Sequence, residues 1–348
     1  MSDYLFYLLL GSGAGAIIAA LGLGLVVTYQ ASGVVNFASG ALAMWSAYVY
    51  ADLRRGAYPF PIPGLPDRYH FAEPVEFGWA IVLAVLTSVV LGLVAHVCIF
   101  RPLRQSPALA KVVASVGLVI VFIALVQRRF ADTSSMRVAA ILPREPVTLF
   151  ADVTVPRDGL WLCVIVAVMA LAVWSASKFT RVGLAVRAAA ENERGAVLLG
   201  YSPDRLAVLG WVVSSALTSI VAILASSQLQ LTPMVFSLGF LVPALGAALL
   251  GAFSRVWVTV AAGLAMGMVQ STFTKLQNDL DWFPDYGARD GLPFVIIIVT
   301  MMVFGERLPE RGSVSAGFLP HVPHSRPTIA GSAIPIGIGI VGVCFLGP

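Results

Sequence analysis

Charge is what this sequence has least of. Asp, Glu, Lys and Arg make up 11% of its 348 residues, where a soluble domain carries about 25%. From Tyr4 to Ala51 there is no Asp, Glu, Lys, Arg or His, and the same holds from Leu206 to Ser254. So few charges cannot cover the surface of a soluble protein of this size, which excludes a water-soluble globular fold. Cysteine is scarce too. Cys98, Cys163 and Cys344 sit in apolar segments at spacings that suit neither zinc nor a disulfide framework, and they read as lipid-facing or packing residues. His96, His321 and His324 form no metal-ligand pattern. Neither a carboxylate pair nor a nucleophile–base arrangement stands out. Gly11 to Gly15 lies in an apolar run without the strand or lysine of a nucleotide loop. These absences argue against an enzyme and against a resident metal or cofactor. The N-terminus lacks a basic region before its apolar run, so no cleavable signal peptide is expected.

What is present is apolar length. A helix rises about 1.5 Å per residue and needs about 20 apolar residues to cross roughly 30 Å of hydrocarbon. The tract from Tyr4 to Ala51 is long enough for two crossings. Charges delimit candidate spans at 4–28, 32–50, 78–100, 110–127, 159–177, 206–226, 236–253, 256–274 and 291–305. The expectation is an all-α polytopic membrane protein with about eight to nine transmembrane helices. Residues 331–348 read as the start of one more span after a linker over 306–330, within a tract from Pro327 to Pro348 that has no formally charged side chain.

Alternating spans put 29–31, 101–109, 178–205, 254–255 and 306–326 on one side of the bilayer. The N-terminus, 51–77, 128–158, 227–235 and 275–290 fall on the other. The first side holds 12 Lys/Arg and 5 acids, the second 10 and 13. That bias, with the acid-free segment from Arg101 to Lys111, places the first side in the cytoplasm and the N-terminus outside. The basic residues sit in short loops, where they set topology, so no nucleic-acid partner is expected. A small hairpin is expected within 128–158, from runs at 137–142 and 147–155, and the Pro-rich 51–77 loop should be extended.

Two segments carry polar pattern where hydrocarbon or a bland loop would be expected. The first is SGVVNFASG, from Ser32 to Gly40. The Asn36 amide needs partners in a low-dielectric setting. It reads either as a helix-break or solute-path residue or as a plain interhelical hydrogen bond. Gln30, Ser32, Ser39 and Gly40 add polar groups and small side chains that permit local unwinding, which suits small polar solutes. The second is 177–207, which mixes helix formers with both charge signs. It predicts a short amphipathic helix over about 184–199, stopped at Gly200, with Ser202-Pro203 starting the next helix. That helix is either a docking element for a cytoplasmic partner or an interfacial tie between spans. Gly246 to Gly251 and Ala261 to Gly267 read as close helix packing.

The stretches from Gly22 to Val49, Arg101 to Leu118 and Thr180 to Leu206 resemble the LivH-type permeases of branched-chain amino acid ABC transporters. The resemblance covers roughly residues 1–305. Two departures stand out: Ser39 occupies the histidine position of the family's NFAHG, and GAFSRVWVT (Gly251 to Thr259) keeps only the first glycine of GGxGSxxGA. The resemblance implies an importer subunit in the plasma membrane. Its partners would be a LivM-like second permease half, two cytoplasmic ATPase subunits that use the ATP, and an extracytoplasmic amino-acid-binding protein. It also implies that 184–205 engages the ATPase, with Ala190, Glu191 and Gly200 matching the family's loop and Arg187 and Arg194 beside them. The tail beyond 305 is unlike LivH and suggests fusion to a LivM-like half. Urea or short-amide permeases look alike in sequence. A secondary transporter or channel is the alternative from another class.

Overall fold

In the computed structural model the described residues are 2–61, 68–71, 73–130, 138–150, 153–228, 232, 239–279 and 287–304. The expected linker over 306–330 and the further span over 331–348 lie outside them. Helices dominate: α1 (Ser2–Ser32), α2 (Ser39–Leu53), α3 (Phe77–Ala95), α4 (Ala108–Arg129), α5 (Arg157–Phe179), α6 (Arg181–Glu191), α7 (Glu193–Leu198), α8 (Pro203–Ala225), α9 (Leu241–Leu250), α10 (Val256–Asp279) and α11 (Ala288–Phe304). Six of them are long and apolar enough to cross a bilayer: Tyr4–Ser32, Phe77–Phe100, Ala108–Arg129, Arg157–Phe179, Pro203–Ala225 and Val256–Gln277.

α1 is apolar on every side because it is the centre of the bundle. Its residues from Ala16 to Val26 are almost all fully buried, and α10, α8, α5 and α9 pack around it. Small residues set the closest of these contacts. Gly11 and Gly15 of α1 face Gly267 and Leu264 of antiparallel α10, and a Cβ at Gly263 would lie 2.5 Å from Ala19 Cα. In lipid such backbone approach replaces the hydrophobic drive that water would supply. α3, α4 and α5 instead turn much of their apolar surface outward, with Trp79, Ile120 and Val168 exposed.

Three expected spans fall outside these six: α11, over 291–305, has 17 residues, and two others hold helices well short of a crossing. Over 32–50 the chain leaves α1 at Gly33 and resumes as α2, whose 15 residues cover about 22 Å. Over 236–253 the helix is α9, whose 10 residues cover about 15 Å. Apolarity requires burial in the membrane, and a half-length helix inside a bundle satisfies that as well as a full one.

Polar contacts sort the loops into two ends. At one, Gln30 bonds Phe253 and Ser254, and Arg104 reaches Glu193 and Asp204. At the other, Arg68 pairs with Asp52 at 3.1 Å and donates to Arg129 O at 3.0 Å. There too Arg144 donates to Ser227 O, and Tyr4 donates to Asp279. These are the two sets of loops that alternation separates. Two small antiparallel pairs decorate the second end: β1 (Ala57–Pro59) with β2 (Arg68–His70), and β3 (Pro146–Phe150) with β4 (Val153–Pro156). The expected hairpin exists but is tighter than predicted: residues 138–142 are not strand, and the partner of β4 is the Thr-containing run just before it.

Candidate translocation site

The polar interruption is a real break. Gly33 adopts φ +69°, a left-handed conformation that glycine takes without strain, and its N–H closes on Tyr29 O at 2.7 Å. Ser32 Oγ donates to Thr28 O and accepts from Val34 N–H. Asn36, 1% exposed, then starts the next helix. Its Oδ1 accepts from Ala38 N–H at 3.0 Å, and its carbonyl accepts from Ser39 Oγ at 2.9 Å and from Ser39 N–H at 3.3 Å. Gly40 is buried in the first turn of α2. Ser39, standing where the resembling family has histidine, thus serves the turn itself.

α2 begins level with the middle of α3, because Ser88 Oγ donates to Leu42 O and Leu42 packs against Gly92. Its N-terminus and the positive end of its dipole therefore lie deep in the bundle. Gln30 is placed differently from its sequence neighbours. Its Nε2 donates to Phe253 O at 3.3 Å and Ser254 O at 3.0 Å. That ties the end of α1 to the turn after α9, where Ala252 and Phe253 hold positive φ.

A cavity of about 510 Å³ opens at this end, walled by Ser32 to Val35, His96, Phe100, Arg104, Lys111 and the start of α8. Of the five candidate path residues only Ser32 lines it; Asn36, Ser39 and Gly40 are buried in the break, and Gln30 braces it from outside. His96, weighed in the sequence only as a metal ligand, is part of the cavity wall. It begins a π-helical turn, His96–Phe100, that extends α3, and such turns recur at functional positions. His96 stacks on Trp211 at 5.5 Å. Neither ring nitrogen has a hydrogen-bond partner among the described residues, although the side chain is buried at the cavity wall.

The candidate coupling segment is two helices rather than one. Asn192 is extended (φ −144°, ψ 98°) and its side chain accepts from Gly195 N–H at 2.9 Å, so it ends α6 and caps α7. Gly200 stops α7 at φ +86°, with Tyr201 N–H bonded back to Ala196 O at 3.0 Å. Arg187, Glu191 and Arg194 are exposed, and Ala190 is half-buried. A small core of Ala185, Ala189, Ala196 and Leu206 holds the segment together. At its tip Leu198 and Leu199 are 89% and 74% exposed.

An ion-pair network joins this segment to the cavity mouth. Arg104, on the 3-10 turn Pro102–Gln105, pairs with Glu193 of α7 and with Asp204 of α8 at 2.6 Å; Arg101 lies 3.8 Å from Asp204. The partners are about 90 to 100 residues apart in sequence, so no local spacing announced them. Among the described residues no group of His, Cys, Asp or Glu could hold a metal ion.

The family described as branched-chain amino acid transport system, permease component, matches residues 7–304. The high-affinity branched-chain amino acid transport system permease protein LivH of Escherichia coli K12 is 24% identical over 318 residues, spanning 87% of this chain and 96% of LivH. The corresponding permease protein BraD of Pseudomonas aeruginosa is 24% identical over 273 residues, 77% of this chain and 85% of BraD. A probable LivH of Methanocaldococcus jannaschii is 24% identical over 266 residues, 74% and 77%. No solved structure matches.

Proposed function

Because this chain belongs to the family of branched-chain amino acid transport permease components, we propose that it forms half of the membrane path of an ATP-driven importer for branched-chain or closely related amino acids. On this reading it sits in the plasma membrane with a LivM-like second permease chain. Two cytoplasmic ATPase subunits supply the energy, and an extracytoplasmic binding protein delivers the solute. The chain itself catalyses nothing. Its N-terminus is outside and the 178–205 segment inside.

The observation that carries the reading is the link between α7 and the break. Glu193 and Asp204 hold Arg104 at the rim of the cavity whose wall is Ser32 to Val35. A displacement of α6–α7 by an ATPase pulls on Arg104. The 3-10 and π turns move with it, and the wall beside the break opens or closes. Leu198 and Leu199 give the ATPase an apolar handle, with Ala190, Glu191, Arg187, Arg194 and the Gly200 stop around it. Asn36, Ser39 and Gly40 let the backbone bend at mid-depth with its hydrogen bonds kept. The steric gate is then the break.

The test is uptake in cells stripped of their own branched-chain transport. Expression of the whole transporter restores accumulation of labelled leucine and not of labelled urea. Urea accumulation without leucine accumulation would reassign the substrate class.

A further inference from the structure

The end of the bundle opposite the coupling segment holds a second cavity, of about 630 Å³, within the range of small-molecule sites. Four separate pieces of chain build it: α1 at Leu9 to Ala14, the β4–α5 junction at Val155 to Gly159, Val138 and Arg144 of the loop before β3, and the turn after α8 at Ser226 to Gln228. Its floor is backbone. A Cβ on Gly13 would lie 3.3 Å from Gly159 Cα and 3.2 Å from Gln228 Oε1, so any larger residue would fill the base.

Its polar groups come in complementary kinds. Arg144 donates from Nη2 to Ser227 O, while its Nε stands 3.9 Å from Asp158 Oδ2. That is a long ion pair, beyond hydrogen-bond length, so the two charges lie side by side with hydrogen-bonding capacity left over. Asp158 Oδ1 is fixed by Gly159 N–H at 2.8 Å, which holds the carboxylate in place at the helix start. Two buried groups beside them, Ser12 Oγ and Gln228 Nε2, have no hydrogen-bond partner among the described residues. Ser12 is 2% exposed. Buried polar groups are costly to leave unmatched, and a site keeps them when a ligand supplies the match. The remaining wall, Leu9, Leu10 and Val138, is apolar.

We propose that this cavity is an entry site for a zwitterionic amino acid. The α-carboxylate lies on Arg144 and Ser12 Oγ, the α-ammonium on Asp158, and the aliphatic side chain against Leu9, Leu10 and Val138. A cation and an anion side by side, 3.9 Å apart, match a zwitterion lying alongside them and disfavour a lone anion or a lone amine, since each would meet a like charge next to its partner. The inference rests on the importer reading and deepens it, because the site lies on the face assigned to the outside.

The experiment is substrate protection in right-side-out vesicles carrying the whole transporter. Val138→Cys is introduced where Cys98, Cys163 and Cys344 are Ala, and a membrane-impermeant thiol reagent is added outside. Leucine should slow labelling by about tenfold at ten times its dissociation constant, by simple occupancy. Leucinamide, which lacks the carboxylate, and N-acetyl-leucine, which lacks the ammonium, should not protect. Arg144→Gln should abolish protection, and Arg144→Lys should retain part of it. Equal protection by leucine and N-acetyl-leucine would make this an anion site and overturn the proposal. So would an absence of protection, or labelling that needs inverted vesicles. ATP-driven leucine uptake is measured in the same preparation. Intact uptake without protection removes this site alone, whereas no leucine uptake by the unaltered chain removes the importer reading as well.

Discussion

At the scale of single residues, Asn36 has the clearest job. It replaces a helical hydrogen bond with one from its own side chain, so Asn36→Leu strands Ala38 N–H in a dry interior at a cost of about 1–3 kcal/mol. The expected outcome is near-normal expression with uptake abolished; unchanged uptake would take the residue out of the path. Gly263→Leu makes the contrasting case. It drives a side chain into Ala19 and should destabilise by at least about 1–3 kcal/mol, lowering the thermal midpoint and yield rather than acting on transport alone. The sequence made Asn36 visible because an amide amid hydrocarbon demands a reason. It could not say that the answer was a turn made with Ala38 and Ser39. Gln30 was noticed for the same reason, yet its carbonyl partners lie more than 220 residues away, and nothing local points to them. Nor did it pair Gly11 and Gly15 with Gly267 and Leu264, since small residues show where backbones come close and not which ones.

At the scale of elements, α6 and α7 carry the account. Arg104 and its two acidic partners are each about 39–40% exposed, and exposed pairs contribute only about 0–1 kcal/mol apiece. Arg104→Glu should therefore leave the fold intact and reduce leucine uptake per ATP hydrolysed; an unchanged ratio would exclude the network from coupling. Burying a leucine yields about 1.5–3 kcal/mol, so Leu198→Asp with Leu199→Asp should weaken association with the ATPase by at least about tenfold. Co-purification in detergent reads this out. Element existence was legible wherever an apolar run sat between charges. Element length was not, as α2 and α9 demonstrate, because hydropathy reports an environment rather than a hydrogen-bonded run. The single helix expected over 184–199 splits at Asn192, a residue whose side chain competes for backbone donors wherever it sits.

At the scale of the whole molecule, the loops divide between two ends as charge-delimited alternation predicts, and long-range polar contacts hold each set together. Cysteines placed in 178–205 should be labelled only from the cytoplasm; labelling from outside would invert the topology and the direction of transport with it. Membership of the permease family was legible, since three blocks of sequence carried it. The cavities were not, because each is walled by segments that only the folded bundle brings together. The central claim is that this chain offers a path and draws all its work from nucleotide-hydrolysing partners. Reconstitution into liposomes measures that most directly. The account predicts that the chain alone fails to concentrate leucine, and that adding the second permease chain, the ATPases, the binding protein and ATP produces accumulation against a gradient. Accumulation by the chain alone, driven by an ion gradient, would contradict it.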